Sequence, residues 1–158
     1  MRRPSISAAA VALVCAFAAG AGLPAQALPI SSIVIDTPHG PARFKVEVAA
    51  DDASRDKGLM YRKHLSRDAG MWFDFHRDLF VAFWMKNTPL PLDMIFIRRD
   101  GTISSVAPNA VPYSTSEIQS QEPIRAVLEI NGGEAAALGI APGERVHAAM
   151  LNGKPPHP

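Results

Sequence analysis

The groups whose types and spacing could do chemistry are two carboxylates, a set of thioethers and one polar turn. Asp93 and Glu129 each stand within an apolar strand-like run. If they met across a cleft they would form a carboxylate pair for general acid and base work, the route to a hydrolase. Met60, Met71 and Met85 fall close together with Met94, and His64 and His76 lie nearby in sequence. Thioether sulfur suits Cu(I), which would make the chain a copper handler. Methionine also fills cores adaptably, and no Met-x-x-Met or His-x-His spacing accompanies these residues. Trp84, Lys86, Asn87, Thr88 and Asp93 gather around the run FWMKNTPLPLD, where apolar walls meet a few polar groups, as in a ligand pocket. The same residues suit a plain turn, with Asp93 held by Lys86 or by backbone N–H groups of residues 87–90. Ser114, Thr115 and Ser116 offer hydroxyls without a histidine or acid beside them, and Gly132-Gly133 lacks the lysine of a phosphate loop.

Strands are the elements that must position these groups. Residues 33–35 form a β-branched run, and Thr37-Pro38-His39-Gly40-Pro41 turns the chain. Residues 42–48 alternate, with Phe44, Val46 and Val48 on one face and Arg43, Lys45 and Glu47 on the other, the pattern of a half-buried antiparallel strand. Asp51-Asp52 offers an N-cap for a short helix over residues 53–61. Three apolar strands follow over 71–75, 79–86 and 92–97, and the middle one reads as central because both its faces are apolar. Trp84 and Lys86 share one face of it; Val81, Phe83 and Met85 share the other. Asp100-Gly101 marks a hairpin into residues 102–106. Residues 107–123 read as a long polar loop, of the kind that carries function. A strand over 124–130 would set Glu129 beside Arg125 as a solvated pair. Asn131 would cap a helix over 132–138, stopped by Gly139, and a last strand spans 145–150.

Composition and the N-terminus bound the class. Arg2-Arg3, an apolar run from Ala8 to Ala18 and Ala25-Gln26-Ala27 have the layout of a secretory signal peptide, cleaved after Ala27. The run is too short for the ~20 apolar residues that span a bilayer, so no membrane association is expected after cleavage. Residues 28–150 then form a single domain, and 151–158 an unstructured tail. Cys15 leaves with the leader, which excludes disulfides, a thiol nucleophile and a cysteine metal site from the mature chain. Of 16 Lys and Arg, Arg2 and Arg3 also leave, so 14 face 15 acidic residues and the charge is about −1. That balance, without basic runs, excludes nucleic acid as a partner. No cofactor is indicated. The leading reading is an exported, periplasmic or secreted, monomeric domain. It binds a small ligand or a protein partner, without catalysis, through FWMKNTPLPLD and the 107–123 loop.

GLM at residues 58–60, GM at 70–71, FWMKNT at 83–88, PLD at 91–93, VLEI at 127–130 and the closing LGIAPGERV together resemble the family known as domain of unknown function 192. The resemblance spans residues 33–146. It implies a small single domain, mainly β with two short helices, built as a compact antiparallel β-sandwich or barrel. It implies no activity. Relatives with cysteines in the 107–123 loop differ from this chain, which has none there.

Overall fold

The computed structural model describes residues 27–154. The expected signal peptide, residues 1–27, lies outside them apart from Ala27, as do residues 155–158 of the expected tail. In chain order the elements are β1 (Ile30–Ile35), β2 (Ala42–Ala49), α1 (Asp52–Lys57), β3 (Ala69–Leu79), β4 (Ala82–Phe83), β5 (Leu92–Ile97) and β6 (Ile103–Ala110). Then come β7 (Ile118–Gln119), β8 (Ile124–Asn131), α2 (Glu134–Leu138), β9 (Val146–His147) and a 3-10 turn, Ala149–Asn152.

Seven strands form one sheet in the order β6-β5-β8-β3-β2-β1-β9, and β4 pairs with β7 in a separate two-stranded ribbon. The pairings in the large sheet are antiparallel except β2–β3, which run parallel because α1 carries the chain across between them. The sheet is therefore mixed, where alternation alone suggests antiparallel pairing throughout. It curls until its edges nearly meet. A bridge joins Thr102 to Arg145, and the Ile103 and Val146 N–H groups donate to Glu144 and Gly101 carbonyls, each at 2.8 Å.

Curling divides the apolar side chains into two cores. Every strand of the large sheet contributes to the first, through Ile33, Val46, Trp72, Leu128, Ile95, Ile103 and Val146, so it fills the concave interior. The second lies on the convex side, around Met71, Phe73, Phe96 and Val127, and is covered by Leu59, Leu65 and Met85. Strands β5 and β8 are buried on both faces, which explains their near-continuous apolar sequences.

Residues 79–86 are not a central strand. Leu79 ends β3 opposite Ile124, and beyond it only Ala82 and Phe83 pair, with Gln119 and Ile118 in the ribbon. The alternation is real: Phe83 and Met85 face the second core, while Trp84 and Lys86 face outward. An extended segment lying over a sheet alternates like a strand within one, and sequence period does not distinguish them. The 107–123 region is likewise shorter as a loop, since β6 runs to Ala110 and β7 interrupts the remainder. The last strand shrinks to β9, and Leu151 and Asn152 belong to the 3-10 turn.

Candidate functional site

A cleft of about 630 Å³ opens on the convex side, within the range of roughly 300–1,000 Å³ usual for small-molecule sites. Its walls come from α1 and the following turn on one side and from residues 81–84 on the other; Phe73, Phe75, Thr88 and Glu129 also line it. Helix α1 starts because Asp51 accepts the Ser54 N–H at 2.9 Å while Ser54 reaches back to the Asp51 N–H, a reciprocal cap. It stops at Gly58, whose φ of 46° favours glycine, and a Cβ there would stand 3.2 Å from the Phe73 ring.

Phe83 organises the aromatic lining. Its ring meets Phe73 at 5.0 Å, Phe75 at 6.4 Å and Phe96 at 6.3 Å, each edge to face. Arg55 carries its guanidinium over the Phe75 ring at 5.7 Å and donates to the Ala50 and Asp74 carbonyls. Trp84 is 47% exposed at the cleft, with the Lys86 ammonium 5.0 Å from its ring.

The turn after Trp84 is stitched from both sides. Asn87 adopts φ 58°, which asparagine tolerates, and its carbonyl accepts from Tyr61 N at 2.8 Å. The Thr88 hydroxyl donates to the Lys86 carbonyl at 3.2 Å, and the Thr88 carbonyl accepts from Tyr113 N at 3.1 Å. Ser114, a hydroxyl candidate from the sequence, takes the Met85 N–H at its carbonyl, 2.9 Å. Residues 113–114 therefore brace the turn, and no residue of 107–123 lines the cleft.

Asp93 stands apart from this group. It is fully buried on the opposite face of the sheet, and neither Lys86 nor the 87–90 turn is its partner. Instead Oδ1 accepts from Asn109 N at 2.8 Å and Gly133 N at 2.9 Å, and Oδ2 accepts from Ala135 N at 2.8 Å. Asp93 thus caps α2 from β5, a task the sequence suggested for Asn131. Asn131 instead donates to the Leu65 and Ser66 carbonyls and holds the 59–66 segment.

Glu129 lies inside the cleft and not in a solvated pair. Arg125 turns to a buried ion pair with Asp74 and donates to the Met150 carbonyl at 3.4 Å. Glu129 is 4% exposed, and burial alone pushes its carboxyl up to about 8. Its register partners are Met71 and Met94, whose side chains sit in the second core. Asp93 and Glu129 therefore occupy opposite faces of one sheet, and the two-carboxylate hydrolase arrangement does not form. Sequence could have flagged Glu129: an acid in a strand apolar on both faces has no solvated side to occupy.

The thioethers give a similar correction. Met71 and Met85 are buried in the second core, and only Met60 reaches the cleft, where its sulfur accepts from Asn87 Nδ2 at 3.8 Å. The three do not converge at the surface as a copper site needs, and Met71 and Met85 pack as core filler. No cluster of His, Cys, Asp and Glu able to hold a metal occurs among the described residues. A second cavity of about 610 Å³, near β9 and the 3-10 turn, has no buried polar side chain in its lining.

The sequence profile of DUF192, described as an uncharacterised ACR, matches residues 34–148. A Sinorhizobium meliloti structure, described provisionally as a transcription regulator, superposes with a TM-score of 0.77 at 44% identity, covering 79% of this chain and 98% of that one. A Novosphingobium aromaticivorans protein of unknown function gives 0.76 at 41% identity, covering 79% and 89%. No curated protein matches. The signature residues hold this curled sheet and its cleft together, and the chain belongs to the DUF192 family.

Proposed function

We propose that the chain is an exported domain that binds a small ligand in the cleft beside Trp84, without transforming it. The observation that carries this reading is the open aromatic cleft itself, placed where the longest signature motif lies. An exposed indole, a hydroxyl and a buried acid at one cavity are the sparse polar groups that orient a ligand among apolar walls. Thr88, Trp84 and Glu129 do this in the proposal; Lys86 and Asn87 set the turn, and Asp93 anchors the scaffold. A mature charge near −1 without basic runs gives no electrostatic footprint for nucleic acid. Export rests on the N-terminal layout of residues 1–27.

A thermal-shift screen of residues 28–158 against metabolites, sugars and amino acids tests the proposal. A ligand at about 100 times its Kd adds ~2.7 kcal/mol, a shift of several degrees. Ala82 is exposed and lines the cleft, so Ala82→Trp should fill the site and remove the shift while leaving the fold intact. Shifts that survive Ala82→Trp would place binding elsewhere.

A second reading, docking of a protein partner, is favoured by the exposed Tyr61, Val111 and Tyr113, since aromatic anchors of this kind dominate interfaces. It predicts cross-linking through Tyr61 or Tyr113 in the native compartment with no response in the small-molecule screen.

A further inference from the structure

We infer that Glu129 is the polar anchor of the cleft, and that the ligand is an uncharged, largely apolar molecule whose carbonyl-type oxygen accepts a hydrogen bond from the Glu129 carboxyl. The inference rests on the cleft reading above and adds the ligand's chemical class.

Glu129 is more than nine-tenths buried, lines the cleft, and has no hydrogen bond or ion pair with any described residue. Buried polar groups are normally satisfied, and one left open inside a cavity is matched to something that enters it. The other carboxylate on these central strands makes the contrast: Asp93 receives three backbone N–H bonds, and Glu129 receives none.

The charges around the cleft decide which ligand group fits. From β3 and β5, Met71 and Met94 flank Glu129 and carry no charge. From residues 81–84 the lining carries no charge. The charged lining groups other than Glu129 are Arg55, Asp56 and Lys57, all from α1. A cationic ligand would use open aromatic faces and an ionised Glu129. However, Arg55 already covers Phe75 and Lys86 already covers Trp84, so two nearby ring faces carry the protein's own cations. With its carboxyl pushed up to about 8 by burial, Glu129 keeps its proton at neutral pH and is a donor. A donor among Leu59, Phe73 and Phe83 selects an acceptor on an apolar body.

Three probes separate the possibilities by calorimetry on the chain from residue 28, which contains every described element: N-benzylacetamide, benzylammonium and n-butylbenzene. N-Benzylacetamide should bind about tenfold more tightly than benzylammonium near neutral pH. Glu129→Gln keeps a donor and should retain the amide's affinity, whereas Glu129→Leu should lose about tenfold for the amide and nothing for n-butylbenzene. Above pH ~8 the affinity of the wild type for the amide should fall about tenfold per pH unit, while Glu129→Gln stays flat. Tighter binding of benzylammonium, rising above pH ~8, would overturn the inference. So would amide binding that Ala82→Trp abolishes but Glu129→Leu leaves unchanged, and that result would spare the cleft reading. Failure of all three probes to bind would remove both.

Discussion

Asp93 and Glu129 show how one residue type takes opposite roles on two faces of one sheet. Asp93 is saturated by Asn109, Gly133 and Ala135 N–H groups, so its work is structural. Asp93→Ala should cost about 3 kcal/mol in urea unfolding, because buried donors lose their acceptor. A loss below ~0.5 kcal/mol would mean that α2 finds another cap. Glu129 behaves in the reverse sense. Its folded-state value of about 8 stands above the ordinary 4.5, so the folded protein holds a proton that the unfolded chain releases. Stability from this group is therefore complete at low pH and is lost as pH rises through that window, by about 1.4 kcal/mol per unit. Glu129→Gln should match the wild type near pH ~4.5, gain on it up to pH ~8 by on the order of a few kcal/mol, then level off. Urea midpoints across that range check this, and a difference independent of pH would show that the carboxyl is solvated.

At the scale of elements, β3 and β8 lie close together at Gly70. A Cβ there would stand 2.6 Å from the Glu129 carbonyl oxygen, a backbone atom that cannot swing aside. Gly70→Ala should therefore separate the strands and cost roughly 2–3 kcal/mol, with Glu129 displaced as well. Unfolding that matches the wild type would show that the pair tolerates the extra carbon. Much at this scale was legible in the sequence. Asp51 announced the start of α1, Gly139 the stop of α2, and alternation assigned β2 its faces. The 79–86 segment was not, because lying on a sheet and lying in one produce the same alternation. Nor was the cap of α2, which comes from Asp93 some forty residues earlier in the chain. The candidate site was half legible. Trp84 and Thr88 stood out in the motif, whereas Glu129 needed the knowledge that β8 is buried on both faces.

Over the whole molecule, the curled sheet separates the closed core from the open cleft. Its concave core and the Thr102–Arg145 bridge close the scaffold, and the convex side keeps an open cleft under α1. The only cysteine of the sequence, Cys15, lies outside the described residues, so packing and hydrogen bonds hold the described fold without a disulfide. If the leader is read as proposed, full-length expression in a bacterial host should yield a chain starting at Leu28 outside the cytoplasm, and intact mass spectrometry of the fractions checks it. An unprocessed cytosolic chain would remove export from the account. Amide correlation NMR of residues 28–158, titrated with an apolar fragment mixture, reads binding at the cleft residue by residue. Shifts should concentrate at Gly58, Phe73, Phe83, Trp84, Thr88 and Glu129, and be lost in Ala82→Trp. Shifts centred instead on residues 145–152, or spread evenly over the surface, would contradict binding at the cleft.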